Sequence, residues 1–185
     1  MTKRYFALFI GTILLLSGCD DSGSESNKIG FPDSLRIITD SSYFVQYPAT
    51  IQRLWVNDSA TFRNVNIGNT KSSIVELEAE LIETTPDSIT YSLDIDGVES
   101  GDFTYVFDKA GIVSSIDIYI YCKSAAKRSD YAKSIQDFYV RKTGSSWESN
   151  KLASPAAGIS IEMKEIGNSK VNDLNIIIKK SPSNI

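Results

Sequence analysis

The sequence contains no histidine, so thiols, hydroxyls, lysine amines and carboxylates are the groups with which this chain could do chemistry. Ser-His-Asp and Cys-His catalysis need an imidazole base, so both are excluded. Zinc sites usually use histidine or clustered cysteines. The two cysteines, Cys19 and Cys122, lie far apart in the sequence, and we expect neither a metal site nor a bound cofactor.

Cys19 stands at the end of a pattern that is typical of an export signal. Lys3 and Arg4 precede an uncharged, largely apolar stretch from residue 5 to residue 16, which has the length of a signal-peptide core. A transmembrane helix needs more, about 20 apolar residues. The sequence then reads Leu16-Ser17-Gly18-Cys19, in which a branched apolar residue and two small residues precede a cysteine.

These four residues resemble the lipobox of bacterial lipoprotein precursors. The resemblance implies that the Cys19 thiol receives a diacylglyceryl group, that a peptidase cuts between Gly18 and Cys19, and that the new amino group is often acylated. Small residues before the cysteine let a protease approach the backbone, and the thiolate is the reactive form of cysteine. An ordinary secretory signal, the alternative, would end in an Ala-x-Ala-like triplet, which this sequence lacks.

Lipid on Cys19 would also decide where the protein resides. Two or three acyl chains anchor a protein firmly, so we expect a chain that is tethered to a membrane without spanning it. Asp20 and Asp21 follow the cysteine, and an Asp at this place resembles the inner-membrane retention signal of enterobacterial lipoproteins. The expected location is the cell envelope, on the periplasmic face of the inner membrane if the host is Gram-negative.

The charge balance of the chain narrows the choice of partners. The chain has 19 basic and 23 acidic residues, a formal net charge of −4, and removal of residues 1–18 with Lys3 and Arg4 would make it −6. This acidity argues against nucleic acid as a partner, since nucleic-acid binders normally carry a basic patch. If Cys19 carries lipid, Cys122 has no disulfide partner, and we expect it to be a small buried side chain at the end of a strand.

One group of motifs resembles the signature of penicillin-binding proteins and serine β-lactamases. Ser124 and Lys127 fit S-x-x-K, Ser129-Asp130 begins an incomplete S-D-N, and Lys142-Thr143-Gly144 fits K-T-G. In those enzymes the three motifs come from separate elements that converge on one site. Here they follow one another along a single predicted helix, whose two ends cannot meet. We therefore predict no catalytic residues and no enzyme activity.

An acidic cluster and three aromatic residues complete the candidates. Asp94, Asp96, Glu99 and Asp102 could bind calcium or form a carboxylate site, but Asp and Gly also suit a plain hairpin turn, and we favour the turn. Tyr119, Tyr121 and Trp147 are candidates for an interface, because exposed Tyr and Trp are favoured where proteins meet. The alternative for these aromatic residues is that they cover a further element of the same domain.

The pattern of apolar residues predicts the elements that position these candidates. Strict alternation predicts strands with one buried face, joined as an antiparallel meander, at Ile89–Ile95, Phe103–Phe107 and Ile116–Cys122. Two further strands are expected at Ile159–Met163 and Leu174–Ile178. Shorter runs predict strands at Leu35–Ile38, Tyr43–Tyr47, Ile51–Val56 and Thr61–Ile67. Helical spacing predicts helices at about 71–83 and from Ser124 to Arg141.

Runs of strands separated by two helices indicate an α+β fold, with an antiparallel sheet and two helices packed on one face. The expected organisation is a lipoprotein signal peptide at 1–18, the lipidated cysteine with a flexible polar tether at 19–30, and one α+β domain at 31–181. The tether carries no apolar residue between Asp20 and Lys28, which favours a flexible chain.

Three functions are compatible with these patterns. The first is a membrane-anchored, non-enzymatic protein-binding module, for example an immunity protein against a toxin that reaches the periplasm. The alternative is a structural or accessory subunit of a cell-envelope assembly or transport complex. The third is an enzyme with an unrecognised carboxylate site on Asp94, Asp96 and Asp102, which would need a pocket at the end of the hairpin.

Overall fold

The structure is a computed structural model that describes residues 43–75, 79–168 and 170–181. The predicted signal peptide, Cys19, Asp20, Asp21, the tether and the predicted strand Leu35–Ile38 lie outside the described residues. Within the described part of the chain, no helix is long and apolar enough to cross a membrane.

Eight strands and two α-helices make up the described domain, so the predicted α+β class with an antiparallel sheet and two helices is confirmed. The helices are α1 (Ala49–Trp55) and α2 (Ala125–Thr143). The strands are β1 (Glu80–Thr84), β2 (Ser88–Asp94), β3 (Ser100–Phe107), β4 (Val113–Tyr121), β5 (Trp147–Glu148), β6 (Lys151–Ser154), β7 (Ile159–Gly167) and β8 (Asn172–Lys180).

The strands form one antiparallel sheet in the order β1-β2-β3-β4-β8-β7-β6-β5. Short turns join β1 to β4 into one antiparallel meander, in which β2 to β4 are the three strands that were predicted. Strands β5 to β8 form a second antiparallel meander. The two halves meet where β4 pairs with β8, with Ile118 opposite Ile176. Because α2 lies between the two halves in sequence, it carries the chain from the edge of one meander to the start of the next.

One face of the sheet forms the core. Every second residue is buried along β3, and along β4 from Ile116 onward, among them Phe103, Tyr105, Ile116 and Ile118, as expected for a sheet with one apolar face. Both helices contribute buried residues to the same core cluster, and α2 contacts β7 and β8. The opposite face of the sheet is polar and half-buried, and we call it the open face.

Rings hold α1 to α2 and to the sheet. Trp55 of α1 is fully buried, and its indole Nε1 donates a hydrogen bond to the Tyr139 hydroxyl at 3.0 Å. Its ring lies edge-on to Phe62, with centroids 5.3 Å apart, and Phe62 in turn meets Phe103 of β3 at 5.3 Å. Edge-to-face pairs of this kind add about 0.5–1.5 kcal/mol each beyond the area they bury.

The predicted helix from Ser124 to Arg141 is confirmed as α2. The Ser124 hydroxyl caps its start by accepting a hydrogen bond from the backbone N–H of Lys127 at 3.2 Å, a contact typically worth about 1 kcal/mol. Gly144 ends the helix with a left-handed φ of 68°, where glycine avoids the clash of a Cβ atom. Cys122 is buried directly after β4, as predicted.

The predicted helix at about 71–83 is wrong for the residues that the structure describes. Lys71–Ser73 form a single 3₁₀ turn, and Glu80–Thr84 form strand β1 at the edge of the sheet. Leu81 and Ile82, expected on a buried helical face, are 56% and 57% exposed. Pairing of β1 with β2 overrides the local helical spacing, since a tertiary context often decides between the two conformations.

Three predicted strands near the start of the domain are also wrong. Residues 43–47 contain the 3₁₀ turn Phe44–Gln46, residues 51–56 fall mainly in α1, and residues 61–67 form a loop with one isolated bridge between Phe62 and Val65. In α1 the buried residues are Ile51, Leu54 and Trp55. Their spacing of i, i+3 and i+4 is helical, but a short apolar run does not separate helix from strand by itself.

Candidate functional site

The candidate site lies on the open face, where strand register brings two tyrosines and three aspartates together. Tyr119 and Tyr121 point to this face from β4, because side chains alternate along a strand and Ile118 and Ile120 point to the core. Register places Tyr119 opposite Asp102 of β3, and Tyr121 opposite Asp173 of β8. Asp117, two residues before Tyr119, completes the group, which we call the tyrosine–aspartate cluster.

Each tyrosine donates its hydroxyl to an aspartate on a neighbouring strand. The Tyr121 hydroxyl donates to Asp102 Oδ2 at 2.6 Å, and the Tyr119 hydroxyl donates to Asp173 Oδ2 at 3.1 Å. The two rings lie 5.0 Å apart between centroids and are tilted by 50°. The rings therefore lean in opposite directions, towards β3 and towards β8, and the hydrogen bonds fix their orientation.

Asp117 is held by an amide from the next strand. The Asn175 side chain of β8 donates to Asp117 Oδ1 at 2.5 Å and makes a longer contact of 3.4 Å with the backbone oxygen of Ile118. A carboxylate offers about four lone-pair sites. One hydrogen bond within the cluster thus leaves Asp117, like Asp102 and Asp173, with capacity to accept donors from outside.

Gly101 lets β3 approach β4 closely beside the cluster. A Cβ atom at this position would lie 2.9 Å from the backbone oxygen of Tyr119, closer than real Cβ contacts come. The absence of a side chain at Gly101 therefore allows the backbones of β3 and β4 to come this close next to Asp102 and Tyr119. Glycine inside a strand often marks such a close approach of two backbones.

The environment makes both phenols harder to deprotonate than an ordinary tyrosine. The hydrogen bond to Asp102, followed by burial, raises the pKa of Tyr121 to about 12. Burial and then the hydrogen bond to Asp173 raise the pKa of Tyr119 above its ordinary value. Neither hydroxyl is therefore suited to give up a proton near neutral pH, and the chemistry of the cluster is hydrogen bonding by fixed donors and acceptors.

A groove continues the open face beyond the cluster. It has a volume of about 650 Å³ and is lined by residues of β5, β6, β7 and β8 and by the loop after α2. Ile177 lies in its lining and stands opposite Asp117 in the sheet register. The cluster and the groove thus form neighbouring parts of one surface.

Trp147, the third residue predicted at an interface, is not part of this surface cluster. It belongs to β5 at the far edge of the sheet, and its indole Nε1 donates to the backbone oxygen of Gln136 in α2 at 3.1 Å. Its ring packs against the core. The structure thus brings together Tyr119 and Tyr121 but places Trp147 against the helix, which agrees with the alternative that it covers a neighbouring element.

The acidic residues after β2 form a turn, as we favoured. Asp94 Oδ1 accepts a hydrogen bond from the backbone N–H of Gly97 at 2.6 Å, and Asp96 Oδ1 accepts from those of Val98 and Glu99 at 3.1 and 2.9 Å. These backbone donors lower the pKa of Asp96.

Glu99 and Asp102 point away from this turn and from each other. Glu99 is only 2% exposed and accepts the Tyr131 hydroxyl at 2.9 Å on the core side, whereas Asp102 faces the open face. Among the described residues, no group of three or more Asp, Glu, Cys or His side chains could hold a metal ion.

The S-x-x-K and K-T-G motifs do not converge either. Ser124 and Lys142 lie at opposite ends of α2, about 27 Å apart at 1.5 Å per residue. The Lys142 ammonium donates to the backbone oxygens of Asp58 and Ala60 and stands 5.6 Å from the centroid of the Phe138 ring. Lys142 therefore fastens the loop after α1 to α2.

Sequence reasoning found the two tyrosines but missed the partners that fix them. Asp117 carried a signal, because it shares the period-two pattern of Tyr119 and Tyr121 on β4. The sequence places Asp102 close to the acidic turn, and Asp173 gives no local signal, because it reaches Tyr119 only through the pairing of β4 with β8. No protein-family model, no curated protein and no solved structure matches this chain.

Proposed function

We propose that the chain is a membrane-anchored bacterial lipoprotein whose domain acts as a non-enzymatic protein-binding module. The partner binds at the open face, centred on the tyrosine–aspartate cluster. One version is an immunity protein that neutralises a periplasmic toxin. The alternative is an accessory subunit of an envelope assembly. It would use the same surface and differ from an immunity protein only in the identity of the partner.

The observation that carries the proposal is the fixed orientation of Tyr119 and Tyr121 on the open face. Tyr121 is 41% exposed although its hydroxyl is held by Asp102. Exposed aromatic side chains are enriched where proteins bind one another. Because the hydrogen bonds already fix the rings, binding costs less side-chain entropy than ordering a free tyrosine would.

The anchor rests on the sequence of residues 1–21. The order of Lys3 and Arg4, the apolar stretch and Leu16-Ser17-Gly18-Cys19 supports lipid attachment at Cys19. A domain held near the membrane meets partners that are embedded in it or delivered across it. The acidity of the chain argues against attraction to an anionic lipid surface, so the lipid itself supplies the anchoring.

The test combines an intact mass with a comparison of variants. The native protein is purified from membranes in mild detergent. The expected mass is that of a chain that begins at Cys19 and carries acyl groups. A mass without acyl groups would contradict the anchor. A partner that co-purifies with the wild type but not with Tyr121→Ala would support the binding site, and growth protection against a cognate toxin would separate immunity from assembly.

The matched control is Val140→Ala. Val140 lies on α2 and is 38% exposed, close to the exposure of Tyr121, but it stands on the helical side of the domain. We expect this variant to retain the partner. If Tyr121→Ala retained it as well, the open face would not be the binding surface.

A further inference from the structure

The tyrosine–aspartate cluster gathers negative charge around two aromatic rings. Asp102, Asp117 and Asp173 stand on three adjacent strands and are half-buried. The same face also carries two lysines. Lys164 of β7 stands opposite Asn175 and pairs with Glu162 at 3.4 Å, and Lys179 of β8 stands opposite Ser115. A partner that desolvates this cluster has to supply positive charge, because buried uncompensated carboxylates are costly.

The tyrosine rings indicate which positively charged side chain fits the cluster better, arginine or lysine. The Tyr121 hydroxyl is already bonded to Asp102, so the part of this 41% exposed residue that remains for a partner is its ring, next to that carboxylate. A guanidinium group is planar, stacks on aromatic faces and pairs with carboxylates through two parallel hydrogen bonds. A lysine ammonium is a compact, strongly hydrated point charge and lacks the planar stacking geometry.

Building on the proposed function, we propose that the cluster is a receptor for an arginine side chain of the partner protein. The guanidinium stacks on the Tyr121 ring and donates to Asp102. Tyr119 with Asp173 forms a second ring–carboxylate pair of the same kind on the other side of β4. The partner's contact surface therefore presents arginine to the open face.

The probes are two short peptides of equal charge, acetyl-Gly-Arg-Gly-Arg-Gly-amide and the same peptide with lysine in place of arginine. Each is titrated by calorimetry into the full chain in a non-ionic detergent at physiological salt. We expect the arginine peptide to bind about fivefold more tightly than the lysine peptide, since stacking on tyrosine adds a contribution that lysine makes less well. Equal affinities would overturn the proposal.

Three variants and one control locate the effect. Tyr121→Leu and Asp102→Asn should each weaken binding of the arginine peptide about fivefold or more and remove its preference over lysine. Tyr121→Phe keeps the ring and should keep the preference. Asp130→Asn changes the net charge as Asp102→Asn does, but Asp130 is exposed on α2, so binding should not change.

The outcomes separate this inference from the proposed function. A loss of affinity in Asp130→Asn as large as in Asp102→Asn would show binding by net charge alone and would overturn the arginine receptor. If the protein binds the two peptides equally well but Tyr121→Ala loses the co-purified partner, the arginine receptor is refuted while the open face remains supported as the binding surface. If Tyr121→Ala retains that partner, the binding face fails.

Discussion

The hydrogen bond from Tyr121 to Asp102 predicts an abnormal ionisation of this phenol that depends on one aspartate. The bond is 2.6 Å long and is the largest cause of the rise in the pKa of Tyr121 to about 12. An unperturbed tyrosine ionises near pH 10. In Asp102→Asn the acceptor is neutral and the repulsion between phenolate and carboxylate disappears, so the pKa of Tyr121 should fall towards that value.

The contribution of this hydrogen bond to the free energy of unfolding follows from the rise in the pKa of Tyr121. Two pKa units correspond to about 2.7 kcal/mol at 1.36 kcal/mol each. Tyr121 is 41% exposed, so solvent screening reduces the contribution to about 1 kcal/mol. Since the folded pKa lies above the unfolded one, this stabilisation is complete below about pH 10 and is lost as the pH rises through about 12.

Difference spectroscopy isolates the titration of this one phenol. The phenolate absorbance of wild type minus that of Tyr121→Phe gives the Tyr121 curve, and the same subtraction in the Asp102→Asn background gives the shifted curve. Asp130→Asn serves as the control, with no expected shift. An unchanged Tyr121 midpoint in Asp102→Asn would refute the role of Asp102 in fixing the ring.

Three further predictions concern the scaffold. Gly101→Ala should lower the free energy of unfolding by roughly 1–3 kcal/mol, because its Cβ would lie 2.9 Å from the Tyr119 backbone oxygen; an unchanged urea midpoint would contradict this close approach. Trp55→Ala should cost about 3–5 kcal/mol in the same assay, whereas Val45→Ala, at a residue that is 67% exposed, should change it by about 0.5 kcal/mol or less. Burial lowers the pKa of Lys142 to about 8, so the unfolded chain holds this proton more tightly than the folded chain does. The free energy of unfolding of wild type relative to Lys142→Met should therefore rise between about pH 8 and pH 10.5. A flat or falling difference over this range would contradict the burial of the ammonium.

The sheet was predictable where one face of a strand is buried. Ile116, Ile118 and Ile120 alternate with polar residues, and this period of two survives in the structure because β4 lies at the centre of the sheet. Helix α2 was also predictable from local sequence, because Ser124 caps its start and Gly144 caps its end.

The start of the domain was not predictable in the same way. The run from Ile51 to Val56 is too short for its spacing to separate helix from strand. Packing of Trp55 against Phe62 and Tyr139 decides in favour of α1. Around Leu81 the apolar residues do have helical spacing, but they do not pack against the core, because the segment pairs with β2 at the edge of the sheet.

The candidate site was half predictable. That Tyr119 and Tyr121 share a face follows from their spacing on one strand. That Asp102 and Asp173 fix their hydroxyls depends on the register of β3 with β4 and of β4 with β8. A pairing between residues 54 positions apart, as for Tyr119 and Asp173, leaves no local pattern in the sequence.

The most direct test of the open face as a binding surface is the amount of partner that co-purifies with wild type and with Tyr121→Ala from the same membranes, measured by quantitative mass spectrometry. Removal of an aromatic side chain at the centre of an interface costs about 2 kcal/mol or more. We therefore expect at least about a 30-fold weaker association for Tyr121→Ala, with Val140→Ala indistinguishable from wild type. Equal recovery of the partner with Tyr121→Ala and with wild type would contradict the proposed function.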